Sequence, residues 1–128
     1  MSIRLAPLQS GTAGGSAVAV AGTVASLALF LSLTAHIAAR NVLGDVPVRY
    51  AFVVGPVPAV VAVLFTAFGL NPLVGILLAI LLDGVAVSYL YGQSRRLTAY
   101  ITFIHVVVSI LLGTVLYGVL ALWASAPG

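Results

Sequence analysis

Residues 50–92 read YAFVVGPVPAVVAVLFTAFGLNPLVGILLAILLDGVAVSYLYG and carry one formal charge, Asp83. As a single helix this stretch would extend about 65 Å, whereas about 20 residues cross a hydrocarbon core of roughly 30 Å. It must therefore fold back on itself. The reversal is written at Gly69-Leu70-Asn71-Pro72. Glycine suits the position just past a helix end, asparagine caps the next helix, and proline fits the first helical position, where a missing N–H costs nothing. Two crossings follow, at about 50–69 and 72–91.

Outward from this pair, residues 5–39 and 97–128 are uncharged and long enough for one crossing each. The predicted spans are then about 13–37, 50–69, 72–91 and 98–123. Such long apolar runs lack the period-2 alternation of membrane barrel strands. The expected fold is all-α, a four-transmembrane-helix bundle forming a single integral membrane domain over residues 1–128. Composition agrees. The chain is 62% hydrophobic and 5% charged, with a mean hydropathy of +1.27, against roughly 25% charged residues in a soluble domain. A water-soluble enzyme or regulator is excluded, because too little polar surface is available to cover it.

Gly55-Pro56-Val57-Pro58 complicates the second span, since each proline removes a backbone donor. Pro56 and Pro58 are read as a helix kink facing neighbouring helices or the head-group level. The competing reading breaks the chain there, leaving 46–58 re-entrant and 59–82 as the span. The first apolar run exceeds the 7–15 residues of a signal-peptide core, so it is read as a retained span.

Positive charge sets the orientation. Arg40 and Arg49 flank the loop at 38–49, Arg95 and Arg96 lie in the loop at 92–97, and the opposite side carries Arg4 alone. Both arginine loops are expected in the cytoplasm, touching lipid head groups, with both termini outside. Tyr50, Tyr91 and Tyr100 are expected at the inner boundary and Trp123 at the outer one. Asp45, between Arg40 and Arg49, is read as a local ion-pair partner. Five arginines without a basic run do not describe a nucleic-acid surface.

Asp83 is the candidate site residue, because an ionisable group inside a span is costly. His105 lies at matching depth in the adjoining antiparallel span, within about one turn. Two readings stand. The pair is an interhelical hydrogen bond that fixes the bundle, or a proton- or ion-coupling pair of a small oligomeric transporter or channel. His36, four residues before Arg40, is read as an interfacial side chain. Two histidines at different depths with one buried acid make no metal site and no bis-histidine haem site, and no cofactor is expected. The chain has no cysteine, hence no disulfide or thiolate chemistry. Asp83-Gly84 begins like the acidic motif of CDP-alcohol phosphotransferases, but the rest of that motif is missing. Walker A, HExxH and GxSxG patterns are absent too, and no first-span glutamate of the small multidrug-exporter kind occurs. The expectation is a non-enzymatic protein.

Small residues form stripes in the outer spans. Gly15, Ala19 and Thr23 recur every four residues, with Gly22 and Ser26 alongside, and Thr114 and Gly118 repeat the spacing in the last span. Such stripes allow close helix approach, within this bundle or in a homo-oligomer.

The stretch Thr34-Ala35-His36-Ile37-Ala38-Ala39-Arg40-Asn41-Val42-Leu43-Gly44-Asp45-Val46-Pro47, followed by the Gly-Pro-rich second span, resembles small uncharacterised multi-pass membrane proteins of halophilic archaea. That resemblance implies an archaeal plasma membrane and carries no activity that could be transferred. The sequence-level expectation is thus an accessory, scaffolding or assembly subunit in the cell membrane. The small transporter with an Asp83–His105 pair is the alternative.

Overall fold

The computed structural model describes the backbone of residues 2–127 and the side chains of residues 16–127. It is helical along most of its length: α1 (Ser2–Leu43), α2 (Val48–Val54), α3 (Pro56–Ala67), α4 (Pro72–Tyr91) and α5 (Arg95–Ser125). Four stretches are long and apolar enough to cross a membrane, at Ser16–Leu43, Val48–Ala67, Pro72–Tyr91 and Arg95–Ser125. The protein is an all-α four-helix membrane bundle, with α2 and α3 sharing one crossing.

The reversal between α3 and α4 is built as its residues require. Gly69 adopts φ +61, Leu70 N–H reaches back to Phe65 O at 2.9 Å, and this six-to-one bond closes the helix end. Asn71 Oδ1 then accepts from Leu73 N–H at 2.9 Å, with Pro72 in the first helical position. The re-entrant alternative is not realised. At Gly55 the backbone keeps helical dihedrals (φ −58, ψ −44) and its N–H still donates to Ala51 O at 2.9 Å. Pro56 and Pro58 only interrupt the ladder, since neither can donate to the carbonyl four residues back. The crossing is divided at Gly55 into α2 and α3, and Pro58 is buried in it.

Two loops are shorter than the charge pattern implies. The first helix continues past residue 37 to Leu43, because Ala38, Ala39 and Arg40 are strong helix formers, and it ends where Gly44 takes φ +85. Arg40 in the last turn complements the helix dipole. The last helix begins at Arg95 rather than Thr98, because Ser94 Oγ caps it by accepting from Leu97 N–H at 3.3 Å.

Around the bundle, α1 contacts α5 and the α2–α3 crossing, while α4 contacts the same two, so α1 and α4 lie diagonally. Packing is uneven along the axis. The core cluster of Ala35, Ala38, Ala39, Ala51, Val54, Val87, Tyr91 and Ile101 occupies the half nearer the arginines. Alanines at 35, 38 and 39 share one face of α1 and let its neighbours come close. At Gly55 a Cβ would lie 2.6 Å from Ser32 Cα and closer still to Ser32 N and Oγ, so the α2–α3 crossing meets α1 backbone to backbone. Toward the Gly69 turn the helices separate around a cavity of about 730 Å³. The outward face is a continuous coat of exposed Leu, Val, Ile and Phe, as lipid contact demands.

Several expectations need correction. Tyr91, at the end of α4, is buried within the bundle and does not face outward, its ring edge-on to Tyr50 at 5.5 Å. Asp45 is exposed, and among the described residues it pairs with neither Arg40 nor Arg49. The small-residue stripes are not the contacts that hold this bundle. Ala19, Gly22, Ser26 and Thr114 are exposed, and a Cβ at Gly22 or Gly118 would meet nothing within 4 Å. Gly15 lies outside the residues whose surroundings are described. The close approaches fall at Gly55 and at Gly75, where a Cβ would lie 2.9 Å from the Phe65 ring.

Candidate functional site

Asp83 and His105 meet. Nδ1 of His105 lies 2.6 Å from Oδ2 of Asp83, and Nε2 of the same ring lies 3.0 Å from the carbonyl oxygen of Leu31. Each side chain is 3% exposed, so the whole contact sits away from solvent. Three helices are joined by one imidazole: α4 through Asp83, α5 through His105 and α1 through Leu31. α1 and α4 are not themselves neighbours, so the ring spans the bundle's diagonal.

The hydrogen-bonding roles follow from the partners. A carbonyl oxygen only accepts, so Nε2 carries a proton and donates to Leu31. The Nδ1–Oδ2 bond then has two forms. Either Nδ1–H donates to a carboxylate, giving an ion pair, or Oδ2–H donates to a bare Nδ1, giving a neutral pair. They differ only in where one proton sits, and the net charge of the pair is zero in both. A paired, internally neutral arrangement is the form in which an acid can reside in hydrocarbon at tolerable cost.

A second interhelical bond lies beside the first. Thr34 Oγ1 stands 2.8 Å from Ser109 Oγ and 3.1 Å from Leu31 O. Because the threonine hydroxyl donates to Leu31, the serine hydroxyl donates to it. α1 is therefore held to α5 twice, by His105 at the Leu31 carbonyl and by Ser109 at the Thr34 hydroxyl. The position of the Leu31 carbonyl is set in turn by the adjacent Ser32, against which Gly55 packs. Thr102 and Thr98 continue the polar line on α5, with Thr102 Oγ1 donating to Thr98 O at 2.8 Å, while Gly84 of α4 passes close to Thr102.

Four enclosed polar atoms have no hydrogen-bond partner among the described residues: Ser32 Oγ, His36 Nδ1, Asp83 Oδ1 and Tyr91 Oη. His36 is thus not simply interfacial; its ring is half-buried with Nδ1 enclosed. Asp83 and Tyr91 lie eight residues apart with buried Val87 between them, on one inward stripe of α4. Enclosed polar atoms of this kind call for water, ions or ligands. The cavity begins at this level. Leu31, Pro58, Ala79, Asp83, His105 and Ser109 line its inner end, and Gly69, Leu70 and Pro72 its outer end.

Arg40, Arg49, Arg95 and Arg96 are exposed at the opposite end of the bundle from the Gly69 turn, and Arg49 lies over the Tyr50 ring at 5.1 Å. No group of three or more His, Cys, Asp or Glu occurs among the described residues.

Depth matching brought out Asp83 and His105, but not Leu31, Thr34, Ser109 or Tyr91. One signal was available. Thr98, Thr102, His105 and Ser109 recur at spacings of four, three and four, a polar stripe on one face of an otherwise apolar helix. That face turns inward, and reading it would have oriented His105. The Leu31 carbonyl had no such signal, because any backbone carbonyl reads alike.

A family model covers residues 14–127, and the chain belongs to that family, DUF7473, a family of unknown function. No curated protein and no solved structure matches the chain.

Proposed function

We propose that the protein is a non-enzymatic accessory or scaffolding subunit of the plasma membrane, with its arginine-bearing loops in the cytoplasm, and that it works within a homo-oligomer or a larger membrane complex. The observation that carries this reading is the imidazole bridge. Both ring nitrogens of His105 are committed to neighbours, Nδ1 to Asp83 and Nε2 to Leu31 O, so the most polar group in the bundle is spent on joining three helices. Interhelical hydrogen bonds in membranes contribute about 0.6 kcal/mol on average and up to about 1.7. Two of them tying α1 to α5, at Leu31 O and at Thr34 Oγ1, suit a rigid spacer better than a mobile carrier. The near absence of acids and the lack of any nucleophile–base pair beyond His105 support a role without chemistry of its own.

A second reading has its own observation. Unpartnered Asp83 Oδ1, Tyr91 Oη and His36 Nδ1 lead from the floor of the cavity toward the arginine end, as a proton path through a small transporter would. One experiment separates the two. Liposomes containing the protein are given a pH gradient, and internal pH is followed for wild type, Asp83→Asn and empty vesicles. The accessory reading expects all three to decay alike, with Asp83→Asn still folded because its amide can donate to Nδ1. Wild-type decay faster than empty vesicles, lost in Asp83→Asn, overturns it in favour of proton coupling.

A further inference from the structure

A groove of about 690 Å³ runs between α4 and α5, and it begins at an arginine. Ile80, Gly84 and Ser88 of α4 line it with Arg95, Thr102 and Val106 of α5. Gly84 lies against Thr102, so the two antiparallel helices run level, with Ser88 beside the first turn of α5 and Ile80 near Val106. From Arg95 to Val106 is about 16 Å of helix, close to half of a hydrocarbon core of roughly 30 Å. The groove is one leaflet deep. Exposed Leu81, Val85 and Phe103 form its rims, and buried Thr98 and Thr102 stand with Gly84 along its floor. Both threonine hydroxyls turn back onto their own chain, Thr98 Oγ1 to Gln93 O at 3.5 Å and Thr102 Oγ1 to Thr98 O at 2.8 Å. Below Ser88 the groove therefore presents hydrocarbon.

Its mouth has the opposite chemistry. Arg95 lines the mouth and Arg96 follows it, both exposed. No acid stands in the first turn of α5 to offset them, and the one ion pair among the described residues is His105 with Asp83, inside the bundle. A guanidinium fork matches the oxygens of a phosphate, and cations at the head-group level draw anionic lipid. Charge complementarity at the mouth and hydrocarbon below it select one occupant. We propose that the groove seats a single anionic phospholipid, its phosphate at the Arg95 guanidinium and one of its chains running along the groove toward Val106. The exposed Ser88 hydroxyl, about one turn deeper than Arg95, then stands at the level of the oxygens that join head group to chains. A zwitterionic lipid brings its own ammonium toward the same two guanidinium groups and is disfavoured. General attraction of arginines for an anionic surface would be shared by Arg40 and would need no groove, whereas a seated lipid needs both. The site goes beyond the scaffolding role and does not depend on it.

The test uses the full chain in mild detergent and native mass spectrometry, with phosphatidylglycerol and phosphatidylcholine of identical chains supplied in equal amounts. The expected result is one phosphatidylglycerol retained per protein chain, at about tenfold the level of phosphatidylcholine, the discrimination of one charge-assisted hydrogen bond at the low end of its range. Arg95→Gln should bring the two lipids to equal retention. Arg40→Gln removes the same charge from the same end of the bundle but not from the groove, and should change the preference by less than about twofold, since exposed charges at a distance are screened. Ala99→Trp fills the groove from α5 and leaves Arg95 in place; Ala99 lines the groove and is exposed. It should abolish lipid retention, and Val85→Trp should do the same from the α4 rim, each with the circular dichroism of the parent. Equal losses in Arg95→Gln and Arg40→Gln would reduce the effect to diffuse charge and overturn the proposal. Retention that survives both tryptophans in folded protein would show that no chain is seated in the groove, and wild-type protein without preference for phosphatidylglycerol overturns the proposal outright.

Discussion

Replacing Gly55 by alanine should disturb this bundle more than any other single methyl group. Its Cβ would stand 2.6 Å from Ser32 Cα, with Ser32 N and Oγ nearer still. Non-bonded carbons rest at about 3.5–4.0 Å, so α1 and the α2–α3 crossing must part by roughly 1 Å. Two of the obstructing atoms are backbone, and no rotamer change relieves them. Overpacking of this kind costs about 1–3 kcal/mol. The same displacement moves Leu31, the neighbour of Ser32, and stretches its 3.0 Å bond from His105 beyond hydrogen-bonding range, a further loss of about 0.6 kcal/mol. Alanine's better helix propensity returns up to about 1 kcal/mol, since Gly55 has helical dihedrals. The net is a destabilisation of about 1–3 kcal/mol, or roughly 5- to 150-fold in the folded population. The chain has no cysteine, so one introduced at Val87, 1% exposed in the core, reports opening through its rate of maleimide modification in mild detergent. Gly75→Ala meets the Phe65 side chain, which can swing aside, and should accelerate modification less. Gly22→Ala meets nothing within 4 Å and should slow it, gaining up to about 1 kcal/mol of helix propensity. If Gly55→Ala protects Val87→Cys as well as the parent does, the backbone contact between Gly55 and Ser32 does not hold these helices, and the argument fails.

Two further outcomes test other joints of the fold. Thr34→Val removes the 2.8 Å bond to Ser109 and the donation to Leu31, and should raise the modification rate of the same reporter by less than about tenfold, in keeping with the modest worth of interhelical hydrogen bonds; a larger effect would mean that the polar network, rather than packing, dominates. Asn71→Ala removes the cap on Leu73 N–H and should weaken the start of α4 by about 1 kcal/mol, seen as about fivefold faster hydrogen exchange at the first turn of that helix, with unchanged exchange counting against the cap.

Much of the architecture was legible because lipid leaves a chain few choices. Backbone groups must be satisfied within each crossing, so charge-free lengths translate directly into helices. The reversal at Gly69–Pro72 follows from conformations that glycine, asparagine and proline favour locally, and α4 therefore begins and ends where the residues say, at Pro72 and Tyr91. Local chemistry also moved two boundaries that charge alone misplaced. The Ala38-Ala39-Arg40 run carries α1 on to Leu43, and the Ser94 cap starts α5 at Arg95.

The candidate site was legible only as a depth. Helical rise places Asp83 and His105 at one level of the membrane, and this is a property of the chain by itself. Whether they face each other depends on how two helices are rotated about their axes, which is settled by packing at distant points such as Gly55 against Ser32. The small-residue stripes make the same point from the other side. Gly22 and Gly118 have the right spacing for close contact yet meet open space, because spacing describes a surface and not its partner. The identity of the third member, a Leu31 carbonyl, is invisible in any list of side chains. The sequence alone determined that this chain crosses a membrane four times as helices and that one acid must lie inside. Tertiary structure decided what that acid touches, since burial along one chain is a local matter while hydrogen-bond partners across helices are set by the packing of all four.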